Sequence, residues 1–149
     1  FNIIQPTHTY FGQKDAQQLL IINQLINDLN YNIKLIPCET IREKTGLAYS
    51  SRNNYLSAID KKNASQIYLI LKDAIDNIRK YKKIANLKND LIKKINKIEN
   101  SKIDYVSIAS PKNLEEISGN INQHMLISIA VFISEVRLID NITYKPDLL

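Results

Sequence analysis

Apolar residues follow a strand-like and then a helix-like spacing over the first forty positions. Residues 7–11 are rich in β-branched and aromatic side chains and end at Gly12, which predicts a strand. Residues 13–29 carry apolar side chains three and four positions apart on more than one side, which predicts a buried helix. Residues 33–36 predict a second strand, closed by Pro37. Strand, helix and strand in this order predict a βαβ unit with parallel strands and a right-handed crossover.

The rest of the chain has a different pattern. Residues 42–56 are polar and turn-rich, which predicts an ordered loop that carries function. Ser57 is a candidate N-cap for a helix that reaches Tyr81, and a second amphipathic helix is predicted over residues 84–98. Alternation over residues 105–109 predicts a strand, and apolar residues on either side of Ser134 and Glu135 predict a hairpin. Residues 41–149 are therefore predicted to form an α+β module with a small antiparallel sheet.

Composition indicates a globular protein of a reducing compartment. Of the 149 residues, 44% are hydrophobic and 23% are charged, which is typical of a folded domain. Cys38 is the single cysteine and cannot form an internal disulfide. The longest apolar run, residues 125–133, is interrupted by Ser128 and is shorter than the roughly 18 residues of a membrane span. We expect a cytoplasmic protein with no membrane partner.

The formal net charge of +5 raises the question of nucleic-acid binding. The lysines are concentrated in residues 72–102, where acidic side chains are interleaved with them. This pattern favours a solvated helix face with partial charge pairing, and we expect no nucleic-acid partner. The alternative hypothesis is a non-catalytic basic helical module that binds nucleic acid or a protein partner.

The segment from Gly12 to Asp15 is a candidate anion site. A helix that starts after Gly12 directs its free N–H groups and the positive end of its dipole beyond the strand. Gly12 leaves space for a ligand, Lys14 offers a positive charge for a phosphate, and Asp15 can accept a hydrogen bond from a ribose hydroxyl. The structural alternative is that Asp15 only favours the helix N-terminus and Lys14 is a surface residue.

A second candidate segment follows about thirty residues later. Ser50 and Ser51 supply hydroxyl donors, and Arg52 supplies a planar guanidinium suited to non-bridging phosphate oxygens. A Ser-Ser-Arg tripeptide alone is a weak signal. Its combination with the first segment across a βαβ unit strengthens the prediction of a triphosphate site.

The remaining candidates favour structural roles. His8 and His124 have no partner at metal-ligand spacing, and Cys38 has no nearby base, so we predict no metal site. The chain contains no Walker-type loop, no Gly-x-Gly-x-x-Gly and no Gly-x-Ser-x-Gly elbow.

Several strings resemble one enzyme family. Residues 1–6 read Phe-Asn-Ile-Ile-Gln-Pro, residues 42–48 read Arg-Glu-x-x-Gly-Leu-Ala, and residues 104–106 and 137–142 match later strands. In this order they resemble the pantothenate synthetase (pantoate-beta-alanine ligase) family. The resemblance implies a nucleotidyltransferase-type enzyme that converts pantoate and ATP to a pantoyl adenylate, releases pyrophosphate, and lets beta-alanine displace AMP.

The resemblance also implies roles for individual residues. It assigns pantoate binding to Gln18 and triphosphate chemistry to Lys14, Ser50, Ser51 and Arg52. The full set that it implies for ATP binding is Gly12, Gln13, Lys14, Asp15, Ile41 (through its backbone, to adenine), Tyr49, Ser50, Ser51 and Arg52. Two departures stand out: Tyr49 replaces the family's usual methionine, and Ser134-Glu135 replaces the usual glycine-containing turn.

By the same resemblance, the fold class is α/β. Residues 1–40 would be the end of a Rossmann-like nucleotide-binding domain, and residues 41–149 a C-terminal α+β lid domain. The family's His-x-Gly-His motif and the first half of that domain would precede Phe1, so we expect the chain to be inactive alone. Mg²⁺ is the implied companion of ATP, and a homodimer is the implied assembly of the full-length protein.

Overall fold

The computed structural model describes residues 1–146, which form two compact units. The first unit is Phe1–Thr40, and the second begins at Ile41. In the first unit, strand β1 (His8–Gly12) pairs in parallel with β2 (Lys34–Cys38), and helix α1 (Ala16–Asp28) connects them. The register places Gly12 opposite Cys38. The predicted βαβ order is therefore confirmed.

The helix of this unit differs from its prediction in start and burial. It begins at Ala16 and not at residue 13, because the N–H of Gln13 donates to the carbonyl of Cys38 at 2.8 Å and keeps the chain beside β2. The prediction of burial on several sides is wrong: Ile26 alone is buried within α1, whereas Ile21 is 58% and Leu25 is 38% exposed. A two-stranded sheet covers only a narrow face of the helix.

The predicted loop over residues 42–56 contains more regular structure than its sequence indicated. Arg42 and Ala48 form an isolated antiparallel bridge, and Ser51–Tyr55 is a short 3-10 helix. Four residues of this segment are buried within the second unit: Leu47, Ala48, Asn53 and Leu56. The segment is ordered because Leu47 and Leu56 enter the hydrophobic core.

Two helices follow, as predicted, with shorter bounds. The first, α2 (Ala58–Asp76), begins at the predicted cap: the hydroxyl of Ser57 accepts from the N–H of Asp60 at 3.0 Å and donates to its carboxylate at 2.8 Å. This hydrogen bond from Ser57 lowers the pKa of Asp60. The chain then forms a 3-10 turn (Ile78–Lys80) and α3 (Ile84–Ile95).

The prediction that α2 reaches Tyr81 is wrong, since the helix ends at Asp76. The amide of Asn77 donates to the carbonyl of Asp73 at 3.1 Å and closes the last turn. The hydroxyl of Tyr81 donates to Asp90 of α3 at 2.5 Å, and burial together with this carboxylate raises the pKa of Tyr81. Tyr81 therefore links the connection between the helices to α3.

A three-stranded antiparallel sheet completes the second unit. Its strands are β3 (Ser101–Ala109), β4 (Met125–Ile133) and β5 (Val136–Tyr144), in the order β3-β4-β5. The predicted hairpin is confirmed, with Ser134 at a φ of 52° in its turn. The core between helices and sheet includes side chains that are fully buried: Leu71, Leu87, Leu91, Ile95, Ile108, Met125, Ile127 and Ile133.

No helix within residues 1–146 is both long enough and apolar enough to cross a bilayer.

Candidate active site

The first group of candidate residues lies where β1 ends and α1 begins. Gly12 is the last residue of β1, and a Cβ added there would meet nothing within 4 Å. Gln13 and Lys14 form the turn that follows; Gln13 is exposed and Lys14 is half-buried. The end of this strand is thus open to a ligand at backbone level.

Asp15 and Gln18 lie at the N-terminus of α1. Asp15 occupies the N-cap position, and its side chain makes no capping hydrogen bond. Gln18 is exposed on the first turn of the helix. The N–H groups of a first helical turn lack intrahelical partners, and the helix dipole is positive at this end. The first unit therefore combines an open strand end, a lysine and a helix N-terminus, which together suit a phosphate group.

The second group lies on a small hairpin that opens the second unit. The N–H of Tyr49 donates to the carbonyl of Ile41 at 3.0 Å, and the N–H of Glu43 donates to the carbonyl of Leu47 at 2.8 Å. Ile41 is 73% and Tyr49 is 60% exposed. The hairpin therefore brings Ile41 and Tyr49 side by side at the surface.

Residues 49–52 form a turn that we call the exposed arch, in which Tyr49, Ser51 and Arg52 are exposed and Ser50 is half-buried. Ser50 caps the 3-10 helix, and its hydroxyl accepts from the N–H of Arg52 at 3.3 Å. The arch therefore carries two hydroxyls and a guanidinium on one turn of chain.

Buried residues hold both ends of the arch. Ala48 is 3% exposed before it, and Asn53 is 4% exposed after it. The amide nitrogen of Asn53 donates to the carbonyl of Ala48 at 3.1 Å and closes the arch at its base. The oxygen of the same amide has no hydrogen-bond partner among residues 1–146.

Arg42 makes several side-chain contacts, whereas the sequence showed it only as part of a motif. Its guanidinium forms two hydrogen bonds with Asp140 of β5, at 2.6 and 2.8 Å, and donates to the carbonyl of Gly46 at 3.1 Å. It also lies 3.6 Å from the centre of the Tyr68 ring. The only local signal for this cluster is a carboxylate, Asp140, within an otherwise largely apolar strand.

The remaining reactive side chains are two histidines and a cysteine, and the cysteine is the β2 partner of Gly12. His8 is exposed on β1, with its Nδ1 3.1 Å from the hydroxyl of Thr7. The thiol of Cys38 contacts the carbonyl of Ile36 at 3.8 Å, and His124 is exposed before β4. In the described part of the chain, no three His, Cys, Asp or Glu side chains are grouped so that they could hold a metal ion.

A family model described as pantoate-beta-alanine ligase matches residues 1–143, which include both candidate groups. The chain belongs to the pantoate-beta-alanine ligase family. It is 44% identical over 146 residues to the pantothenate synthetase of Clostridium botulinum (strain Kyoto / Type A2), covering 97% of this chain and 52% of that protein. The pantothenate synthetase of Caldicellulosiruptor saccharolyticus has the same identity, with the same coverage of both chains.

Solved structures of the family share its fold. The crystal structure of pantothenate synthetase from Thermus thermophilus matches with a TM-score of 0.89 and 31% identity, over 98% of this chain and 52% of that one. The pantoate-beta-alanine ligase of Francisella tularensis, complexed with beta-gamma ATP and beta-alanine, matches with a TM-score of 0.64 and 33% identity, over 95% of this chain and 45% of that one. The chain thus spans about half the length of the relatives that it matches.

Proposed function

We propose that this chain forms part of an enzyme that joins pantoate and beta-alanine in an ATP-dependent reaction. The observation that carries the proposal is the family match over residues 1–143, which includes the open strand end at Gly12 and the exposed arch. In the first step, a carboxylate oxygen of pantoate attacks the α-phosphorus of ATP, and pyrophosphate leaves. In the second step, the amine of beta-alanine attacks the acyl carbon of the pantoyl adenylate, an amide bond forms, and AMP leaves.

Each unit would contribute a defined part of this chemistry. In the first unit, Gly12, Gln13, Lys14 and Asp15 would bind phosphate and ribose, and Gln18 would bind pantoate. Gly12 supports this role because it leaves the strand end open, and Lys14 because it supplies positive charge beside a helix N-terminus. This unit, residues 1–40, would be the end of a Rossmann-like nucleotide-binding domain.

The second unit would act mainly through the arch. The hydroxyls of Ser50 and Ser51 would donate to phosphate oxygens, and Arg52 would bind oxygens whose charge increases as pyrophosphate leaves. Tyr49 would lie beside the nucleotide, and the backbone of Ile41 would contact adenine. Residues 41–149 would form an α+β lid domain. Exposure of Ser51 and Arg52, with their anchors buried, supports this assignment.

Magnesium would arrive with the nucleotide. Mg²⁺ keeps several waters and is commonly held by substrate phosphates and few protein oxygens, which fits a chain whose described residues offer no cluster of three metal ligands. When bound, the ion would neutralise phosphate charge during attack. The reaction would take place in the cytoplasm in a homodimer of the complete protein.

We expect the 149 residues alone to lack activity, because the relatives to which the reaction is assigned are about twice as long. The basic-module hypothesis has less support. Within the lysine-rich helices, Lys94 pairs with both Asp73 and Asp90, at 2.8 and 2.9 Å, and Lys88 pairs with Glu116 at 3.1 Å. These pairs reduce the positive charge that a nucleic acid would meet.

Single-turnover formation of pantoyl adenylate and pyrophosphate by the complete gene product that contains this chain tests the proposal. Arg52→Lys retains the charge but loses the planar fork, so we expect at least a tenfold slower first step, about 1.4 kcal/mol. Lys14→Ala should also slow this step. Lys83→Ala, at an exposed position before α3, is the control and should not. Equal rates for all three variants and the unchanged protein would exclude the phosphate roles.

A further inference from the structure

Arg42 connects three separate parts of the second unit through one side chain. Its two nitrogens bind the two carboxylate oxygens of Asp140 on β5, and its plane stacks on Tyr68 of α2. Arg42 is 16% and Asp140 is 7% exposed. A bidentate, stacked guanidinium with so little exposure has one orientation, because the fork and the ring together fix its plane.

The same guanidinium also holds the hairpin that leads into the arch. It donates to the carbonyl of Gly46 at 3.1 Å, and the backbone of Arg42 pairs with Ala48. Gly46 itself lies against Tyr68: a Cβ added at Gly46 would be 2.9 Å from the ring atom Cδ1. The hairpin is thus fixed to α2 and β5 immediately before the exposed residues begin.

The connection from Asp140 to the arch is short and continuous. Asp140 binds Arg42, Arg42 binds Gly46 and pairs with Ala48, and the carbonyl of Ala48 accepts from Asn53 at the other end of the arch. Apart from the ion pair, every link involves the backbone of the segment over residues 42–53. A displacement of Arg42 would therefore move the whole arch.

We propose that Arg42 is a positioning residue, which fixes the exposed arch through its ion pair with Asp140 and its contact with the Tyr68 ring. This inference rests on the proposed function, because positioning has a catalytic consequence only if the arch binds the triphosphate. Arg42 contacts no substrate in this proposal. Its effect is on geometry: when a group that donates hydrogen bonds to the phosphate is displaced by about 1 Å, the reaction rate can fall by on the order of 100-fold.

The chain provides a matched control for this pair. Arg137 of β5 binds Asp104 of β3 through two nitrogens, at 2.8 and 3.0 Å, but these side chains are 42% and 41% exposed and lie on strands outside the segment over residues 42–53. Arg42→Lys and Arg137→Lys thus make the same chemical change at a buried and at an exposed ion pair. A lysine at either position keeps the charge and loses the fork.

The test compares both variants in the complete gene product, at a temperature where each is fully folded by circular dichroism. We expect Arg42→Lys to lower the single-turnover rate of pantoyl adenylate formation at least tenfold, with KM for ATP changed less than threefold. Arg137→Lys should stay within twofold of the unchanged protein. A residue that only stabilises the fold would not change the rate per folded molecule, so a rate within twofold for Arg42→Lys overturns the inference.

A second measurement does not depend on activity. The amide of Tyr49 donates within the hairpin, so its hydrogen exchange reports how firmly the arch is held. We expect at least tenfold faster exchange at Tyr49 in Arg42→Lys and no change in Arg137→Lys. Unchanged exchange in both variants would refute the proposal that Arg42 fixes the arch. If the unchanged protein forms no pantoyl adenylate, the proposed function fails, and this exchange result still decides whether Arg42 fixes the arch.

Discussion

Replacement of Gly46 by alanine tests how closely the hairpin is packed against α2. Gly46 has a φ of +92°, which L side chains rarely adopt, and an added Cβ would lie 2.9 Å from Cδ1 of Tyr68. That atom belongs to a rigid ring, so the contact can be relieved only by movement of the ring or of the hairpin. Either movement disturbs the stacking of Arg42 on Tyr68 at 3.6 Å.

The expected loss in the free energy of unfolding has two parts. Backbone strain for a non-glycine residue in the left-handed region is about 1–2 kcal/mol. Loss of the cation–π contact adds about 0.5–2 kcal/mol. We therefore expect Gly46→Ala to lower the free energy of unfolding by about 1.5–4 kcal/mol.

The other two glycines separate these parts. Gly119 has a φ of +89° with nothing within 4 Å of an added Cβ, so Gly119→Ala should show the backbone part alone, about 1–2 kcal/mol. Gly12 has neither constraint, so Gly12→Ala should change stability by less than about 1 kcal/mol.

Urea unfolding followed by circular dichroism in the far ultraviolet measures all three variants. The contact with Tyr68 is checked by repeating Gly46→Ala in a Tyr68→Ala background, where only the backbone part should remain. Equal losses for Gly46→Ala and Gly119→Ala, or the same loss with and without the Tyr68 ring, would refute the packing argument.

Three further results are expected. Ser57→Ala should lower the free energy of unfolding by about 0.5–2 kcal/mol in urea, because α2 loses its cap; no change would contradict the capping role. Asp73 and Asp90 have lowered pKa values, through Lys94 and through Tyr81 respectively. Their stabilisation is present above about pH 4 and lost as the pH falls further, so Lys94→Met should reduce the acid-dependent part of the urea midpoint, and an unchanged pH profile would contradict this. Amides of residues 1–40 should exchange faster than those of the second unit, because α1 buries only Ile26; uniformly slow exchange would contradict it.

Local patterns were sufficient for most of the elements. The cap at Ser57, the hairpin turn at Ser134 and the parallel pair around α1 each depend on residues that are neighbours in sequence or on a period of two or about four. Helix ends were less predictable. The start of α1 depends on a hydrogen bond from Gln13 to Cys38, and the end of α2 on the side chain of Asn77, neither of which changes an apolar period.

The candidate site also has features that the sequence predicts and features that depend on residues distant in the sequence. The sequence predicted a polar loop that carries hydroxyls and a guanidinium at residues 50–52, but not the arch that these residues form. The anchors of the arch could not be predicted, because Arg42 and Asp140 are 98 residues apart and the ring of Tyr68 belongs to a helix between them. Burial of Ala48 and Asn53 inside a loop that looked polar also required the three-dimensional structure.

This division has a physical basis. A group that binds phosphate must be exposed before the substrate arrives, so Ser51 and Arg52 receive little support from their own contacts and would be free to sample many rotamers. Their position must instead be set by the backbone on either side. In this chain that role falls on the buried ion pair of Arg42 and on the amide of Asn53. A substitution that keeps the arch but weakens either anchor should therefore affect the reaction more than it affects binding, because the interactions with phosphate charge that develop in the transition state depend most on geometry.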